Sequence, residues 1–230
     1  MTEDWGIDKM DGKKAVCISA SNIMLSKENS FSLRVCQMVS DRLAQDGIFC
    51  TIVDLRGEEL VPCTGCGECF RSRRCNRDKA FNRIYGEMAG ADYLFFVSPH
   101  YAPIPAKLCM LLEKMEEITF LHWWKNENYR SELYGKLAGV ISHGGGGNKA
   151  IEGYKTMVNN TIANALDTVQ VKVVPFNSKW DTGISLPVEK VVQGNGIFPV
   201  QEYDWKMISE MIQAYVEVMV LTSKSSYVII

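Results

Sequence analysis

The sequence lacks a surplus of either charge. Its 230 residues carry 25 Lys and Arg against 27 Asp and Glu, a net charge of −2. No basic excess exists to hold a nucleic-acid backbone. It also lacks any apolar run of the ~18–20 residues that a membrane span needs. Its first fourteen residues, MTEDWGIDKMDGKK, are polar and acidic, unlike a signal or transit peptide. The expectation is a cytoplasmic protein with neither nucleic acid nor membrane as partner. An apolar share of 47% and a charged share of 23% exclude a disordered or collagenous chain. At this length one compact domain is expected, residues 13–230 after a polar leader 1–12. A chain this long buries roughly 70–75% of its unfolded surface and needs no disulfides to fold.

Cysteine is the type in excess, with eight residues. Cys17, Cys36, Cys50 and Cys109 stand singly in apolar contexts. Cys63, Cys66, Cys69 and Cys75 fall within thirteen residues, CTGCGECFRSRRC. A secreted disulfide scaffold would be shorter and would spread its cysteines. In a reducing compartment such a cluster points to metal binding or redox chemistry.

Short apolar runs alternate with helical patterns, without internal repeats. Residues 14–20 read as a buried strand. Residues 31–46 read as a helix with Leu33, Cys36, Val39 and Leu43 on one face, stopped by Gly47. Strands are expected at 48–55, 91–98, 136–143 and 168–175, and helices at 78–90, 105–120, 148–166 and 202–221. Residues 121–135, with His122, Trp123 and Trp124, read as an excursion, and 176–200 as irregular. Alternation of this kind implies parallel pairing and right-handed crossovers. The expected fold is α/β: a doubly wound five-stranded parallel sheet of order 2-1-3-4-5, with a cysteine insert at 62–77 after strand two. In such sheets ligands bind beyond the carboxyl ends of the strands where the winding reverses. The chemistry should therefore lie in the loops after strands one to four.

The first loop, SASNIMLSKENSFS, has no glycine and carries neither the G-x-G-x-x-G nor the Walker pattern. It is dense in hydroxyls and amides, with Ser19, Ser21, Asn22, Ser26, Asn29, Ser30 and Ser32 running into a helix. A helix amino end offers unpaired N–H groups and a positive dipole, which suits a phosphate monoester. An ordinary N-cap with solvated serines is the alternative. After strand three, three prolines in eight residues stiffen Ser98–Pro105 and set His100 and Tyr101 past the strand end. After strand four comes His143 and then four consecutive glycines, Gly144, Gly145, Gly146 and Gly147. Such a run costs chain entropy and makes sense where backbone closely approaches a ligand. An esterase oxyanion hole is excluded, because no G-x-S-x-G elbow is present.

The cysteine segment has the spacing C-x2-C-x2-C-x5-C. Two overlapping C-x2-C steps bring three thiolates around one centre, and a longer step supplies the fourth. That suits a [4Fe–4S] cluster. Free redox thiols are the main rival, and zinc a further one. Arg71, Arg73, Arg74, Arg77 and Lys79 crowd the end of the segment. They would stabilise thiolates and a negative cluster, or dock an acidic partner.

These features together resemble the NADPH-dependent FMN reductase superfamily, and within it the iron–sulfur flavoproteins. SASN followed by ENSFS stands where that family has its phosphate loop, although the usual arginine is missing and Ile23 and Met24 stand near its place. The cysteine spacing is similar to that of the iron–sulfur flavoproteins. ADYLFFVSPHYAPIPAKLCMLLEKM is similar to the segment that borders the isoalloxazine ring. The resemblance implies a flavodoxin-like fold, bound FMN and a homo-oligomer, either a dimer or a tetramer. It implies Ser21, Asn29, Ser30 and Ser32 at the phosphate, with Pro99, His100, Tyr101, Ala102 and Gly144–Gly147 around the ring.

The leading expectation is an FMN-dependent oxidoreductase that passes electrons between a reduced donor, FMN and the cluster, the donor being NAD(P)H or a ferredoxin. A non-enzymatic flavodoxin-like electron carrier, a reductase with free thiols, and a metal-bound module without flavin are the alternatives.

Overall fold

The computed structural model describes residues 12–22, 30–194 and 199–226. Residues 1–11 of the expected leader, with Ser26 and Asn29, lie outside the described residues. Five strands form the parallel sheet in the expected order: β2 (Phe49–Asp54), β1 (Lys14–Ser19), β3 (Tyr93–Pro99), β4 (Leu137–His143) and β5 (Lys172–Val173). β3 is buried along its whole length, because it pairs with β1 and β4 and is covered on both faces. That is why its sequence is an unbroken apolar run rather than an alternation.

The connections set the two faces. Helix α1 (Phe31–Gln45) follows β1, and Val35, Cys36, Val39 and Leu43 pack against Ala15, Cys17, Phe95 and Val97. A short helix, α2 (Cys69–Ser72), lies within the cysteine segment. Helices α3 (Lys79–Ala89) and α4 (Ala106–Lys125) cover the opposite face, where Phe81, Ile84, Leu108, Leu111 and Met115 meet Val16, Ile18, Leu94 and Phe96. Each such side chain contributes about 1.5–3 kcal/mol by burial. The β1 connection thus leaves on one face and the β3 connection on the other, so the winding reverses between these neighbouring strands.

Three expectations are corrected. First, α4 continues to Lys125, so His122, Trp123 and Trp124 occupy its last turns and are no excursion. The His122 ring closes onto the Ile118 carbonyl at 2.8 Å, and the Asn126 N–H caps the helix on the His122 and Trp123 carbonyls. Second, the fifth strand shrinks to two residues. The rest of that edge is taken by β6 (Ile184–Leu186), which pairs with Ile141–His143 from within the segment expected to be irregular. Gly183 (φ +108°) makes this entry possible, since a Cβ there would collide with the Val140 backbone. Third, the helix expected at 148–166 is built in pieces. A 3₁₀ turn leads into α5 (Ile151–Tyr154), a π turn over Lys155–Asn159 and α6 (Asn160–Thr168). An antiparallel hairpin, β7 (Lys190–Val192) and β8 (Val200–Glu202), precedes the final helix α7 (Trp205–Ser226). Among the described residues no helix is long and apolar enough to cross a membrane.

Candidate functional site

The carboxyl ends of β1, β3 and β4 converge beside the amino end of α1. Ser30 caps that helix, its hydroxyl accepting the Leu33 N–H at 3.4 Å. The remaining N–H groups of a helix's first turn have no partner within the helix. Ser19 ends β1 on the α1 face, in alternation with Ala15 and Cys17. Its hydroxyl is fully buried and finds no hydrogen-bond partner among the described residues. A buried hydroxyl without a partner near a helix amino end can donate to an anionic group there. Ser21 is buried nearby, and Asn22 reaches the surface.

Ser32, expected at a phosphate, contacts His143, another expected site residue. It is fully buried, and its Oγ lies 2.7 Å from His143 Nε2. His143 ends β4, and burial pushes its imidazole down to about 3. It is therefore neutral at ordinary pH and adds no positive charge to the site. Its ring packs on Phe31, which meets Tyr203 and Trp205 in turn. The Arg34 guanidinium rests 3.5 Å from the centre of the Trp205 ring.

The loops after β3 and β4 are tied together. Pro99 pairs with His143, and the His100 N–H donates to the His143 carbonyl at 2.9 Å. Ala102 holds φ +46°, and the Tyr101 N–H donates to the Pro103 carbonyl. The glycine run makes room for protein. A Cβ on Gly144 would fall 2.5 Å from Tyr154 Cζ, and one on Gly146 would fall 2.5 Å from Ala150 Cβ. The Gly146 N–H donates to Tyr154 Oη at 2.6 Å, and the Val188 N–H donates to the Gly146 carbonyl. Tyr154 also lies 5.7 Å from the His100 ring. The sequence reading missed Tyr154, whose side chain links the loops after β3 and β4 just ahead of the π turn. Such turns recur at functional sites.

A chamber of about 740 Å³ opens between Asn22, Tyr101–Ala102, Ile104–Ala106 and the α4 residues Cys109, Met110 and Glu113. That is ample for a cofactor-sized ligand. A second pocket, further along α4, is lined by Cys63, Cys66, Cys69 and Cys75 with Arg77, Lys114 and Glu117. The two meet at Glu113, whose Oε2 accepts the Cys63 N–H at 3.2 Å. The i, i+4 spacing of Cys109, Glu113 and Glu117 was the available signal for this shared face.

The cysteine segment is clamped to α3 and α4. Lys107 donates to the carbonyls of Arg56 and Glu58 at 2.9 and 2.7 Å. Lys114 donates to the Val61 carbonyl and pairs with Asp78 at 2.8 Å. Asn82 holds the Cys75 backbone from both sides, at 2.7 and 2.8 Å. Burial alone would raise the Asp78 carboxyl. The Lys114 ammonium and the N–H groups of Phe81 and Val61 outweigh it and hold the group below its ordinary value. The Cys69 thiol is pushed up to about 11, by burial first and then by Glu117. All four are free thiols, and the Gly65 N–H lies 3.4 Å from Cys63 Sγ. Among the described residues no group of three or more Cys, His, Asp or Glu is gathered closely enough for a single metal ion. The basic crowd is partly committed elsewhere. Arg74 pairs with Glu132 through both nitrogens at 2.7 and 2.9 Å, and Arg73 lies over the Tyr129 ring. Arg77 is the member of that group that lines the pocket.

No curated protein sequence matches the chain. Solved structures do, at low identity. One is RosB with its bound intermediate 8-demethyl-8-formylriboflavin-5'-phosphate, with a TM-score of 0.55 and 16% identity, covering 92% of this chain and 81% of that one. An apo NADH:FMN oxidoreductase, EmoB, has a TM-score of 0.54 and 13% identity, covering 91% and 89%. A flavodiiron protein from Giardia intestinalis has a TM-score of 0.53 and 12% identity over 94% of this chain. The chain spans only 37% of that protein's length. These likenesses show the shared fold. The family assignment comes from the sequence: residues 13–181 match NADPH-dependent FMN reductase, and the chain belongs to that family of flavin-dependent oxidoreductases.

Proposed function

We propose that the protein oxidises NAD(P)H with FMN held at the reversal of the sheet and that the four clustered cysteines hold a [4Fe–4S] centre beside it. One observation carries the FMN site: the buried, unpartnered Ser19 hydroxyl beneath the capped amino end of α1. Ser19, Ser21, Ser30 and the first-turn N–H groups would take the phosphate. Asn22, with Pro99–Ala102 and the backbone of Gly144–Gly147, would border the ring, and Tyr154 would hold the glycine loop in place. When bound, FMN accepts a hydride from the nicotinamide and returns electrons to an acceptor. The protein's part is to orient the group, exclude water, and keep His143 neutral so that it holds Ser32 without charging the site.

Cys63, Cys66, Cys69 and Cys75 all line one pocket, which supports a shared centre. Tetrahedral zinc needs its sulfurs about 3.8 Å apart, whereas a cubane takes one thiolate per iron and spreads them wider. The two overlapping C-x2-C steps suit such a cubane better than the two separated knuckles of a structural zinc site. A cluster would supply single-electron transfer, and a ferredoxin-type protein is the alternative donor. The exposed Phe120, Trp123 and Trp124 near the end of α4 support a homo-oligomer, dimer or tetramer.

Anaerobic purification followed by absorption spectroscopy, with FMN, iron and sulfide counted per chain, tests both sites. The expected result is one FMN and four irons, with NAD(P)H oxidation in the presence of an acceptor. Cys66→Ser should remove the broad iron–sulfur absorbance and leave FMN bound. Loss of both would show that the cysteines hold the fold together instead. FMN without iron in the parent protein leaves the reductase with free thiols.

A further inference from the structure

The chamber beside Tyr101 has largely apolar walls: Tyr101, Ile104, Pro105 and Met110. Glu113 is the one charged side chain among its described lining residues. The two lysines nearest it on α4 are withdrawn. The Lys107 ammonium keeps its charge but is turned to the Arg56 and Glu58 carbonyls, and Lys114 is paired with Asp78 and the Val61 carbonyl. The Cys63 N–H fixes the Glu113 carboxylate at the chamber wall. The amino end of α4 contributes only about half a positive charge at Ala106, about 10 Å away along the helix. The chamber is therefore polarised, with its positive end at the amino end of α4 beside Ala106 and Lys107 and a full negative charge at Glu113.

We propose that the α4 side of this chamber, across from the Asn22 and Tyr101–Ala102 wall proposed to border FMN, is the acceptor subsite and that Glu113 makes it selective for uncharged or cationic flat aromatic acceptors against anionic ones. This rests on the reading of the protein as a flavin reductase. Carbonyl or nitro oxygens are drawn towards Ala106, and a carboxylate or sulfonate on the ring meets Glu113. Specificity here comes from repulsion of the wrong ligand. With a quinone acceptor the overall step is NAD(P)H plus quinone plus one proton from water, giving NAD(P)⁺ plus hydroquinone. Two electrons leave the nicotinamide, and the quinone gains both together with two protons.

The test is steady-state NAD(P)H oxidation by the FMN-loaded protein with menadione and with a naphthoquinone sulfonate. The readout is the ratio of kcat/KM for the sulfonate to that for menadione. Glu113→Gln keeps an oxygen for the Cys63 N–H and removes the charge. It should raise the ratio about five- to tenfold at low salt, the size expected for a screened charge pair near the surface. Added salt should raise the parent's ratio and leave the variant's flat. Glu116→Gln, one turn along α4 and outside the chamber lining, should leave the ratio at the parent value. A ratio unchanged by Glu113→Gln, or moved equally by Glu116→Gln, overturns the proposal. Turnover of neither acceptor overturns the reductase reading and the subsite with it.

Discussion

The Asp78 carboxylate and the Lys114 ammonium meet 2.8 Å apart with almost no exposure, and through them one helix grips both ends of the cysteine segment. Val61 at its start is held by both groups, its N–H by Asp78 at 3.0 Å and its carbonyl by Lys114. Asp78 at its end caps α3, accepting the Phe81 N–H at 2.8 Å. Lys114→Met leaves a buried carboxylate unpaired and should cost about 3–5 kcal/mol in urea denaturation. Adding Asp78→Asn should recover part of that loss. Alkylation of Cys63 and Cys75 should quicken in the single variant; an unchanged rate would show that the pair does not fix the segment.

Ser19→Ala should act with opposite signs on two measurements. Removing a buried hydroxyl without a partner should stabilise the FMN-free protein by about 1 kcal/mol. The same change should weaken FMN binding by about three- to tenfold, read by fluorescence titration, because one phosphate donor is gone. A loss of stability in the FMN-free protein would mean that the hydroxyl has a partner after all.

His143 sets a pH dependence. Its imidazole is held at about 3 in the folded chain against an ordinary 6.5. Between these values the unfolded chain binds a proton that the folded chain does not. Stability is therefore full above pH 6.5 and falls as the pH drops towards 3, by up to about 1.4 kcal/mol per pH unit. His143→Gln removes this contribution. Urea denaturation at pH 7, 6 and 5 should show the parent losing ground to the variant as the pH falls; parallel curves would place a charged imidazole in the fold.

Gly144→Ala sets a methyl group 2.5 Å from the Tyr154 ring. Overpacking of this kind costs about 1–3 kcal/mol. FMN affinity should fall along with stability, since the proposed function sets the displaced loop beside the ring. Tyr154→Phe instead keeps the packing and loses only the Gly146 bond, so its melting temperature should stay near the parent's while the bound-flavin spectrum shifts. An unchanged spectrum would separate Tyr154 from the ring site.

The strand order and the reversal between β1 and β3 were legible in the sequence. Apolar runs of strand length alternating with amphipathic helices admit few topologies. The Ser30 cap and the clustering of the four cysteines were legible for the same reason, since both depend on residues near one another in the chain. Tertiary structure alone decided the rest. It sent Ser32 inward to His143, 111 residues away. It filled the space over the glycine run with Tyr154, put Ile184–Leu186 on the sheet edge, and committed Lys107 and Lys114 away from the chamber. Each placement is decided by packing against another element, and local periodicity carries no information about which partner burial will supply.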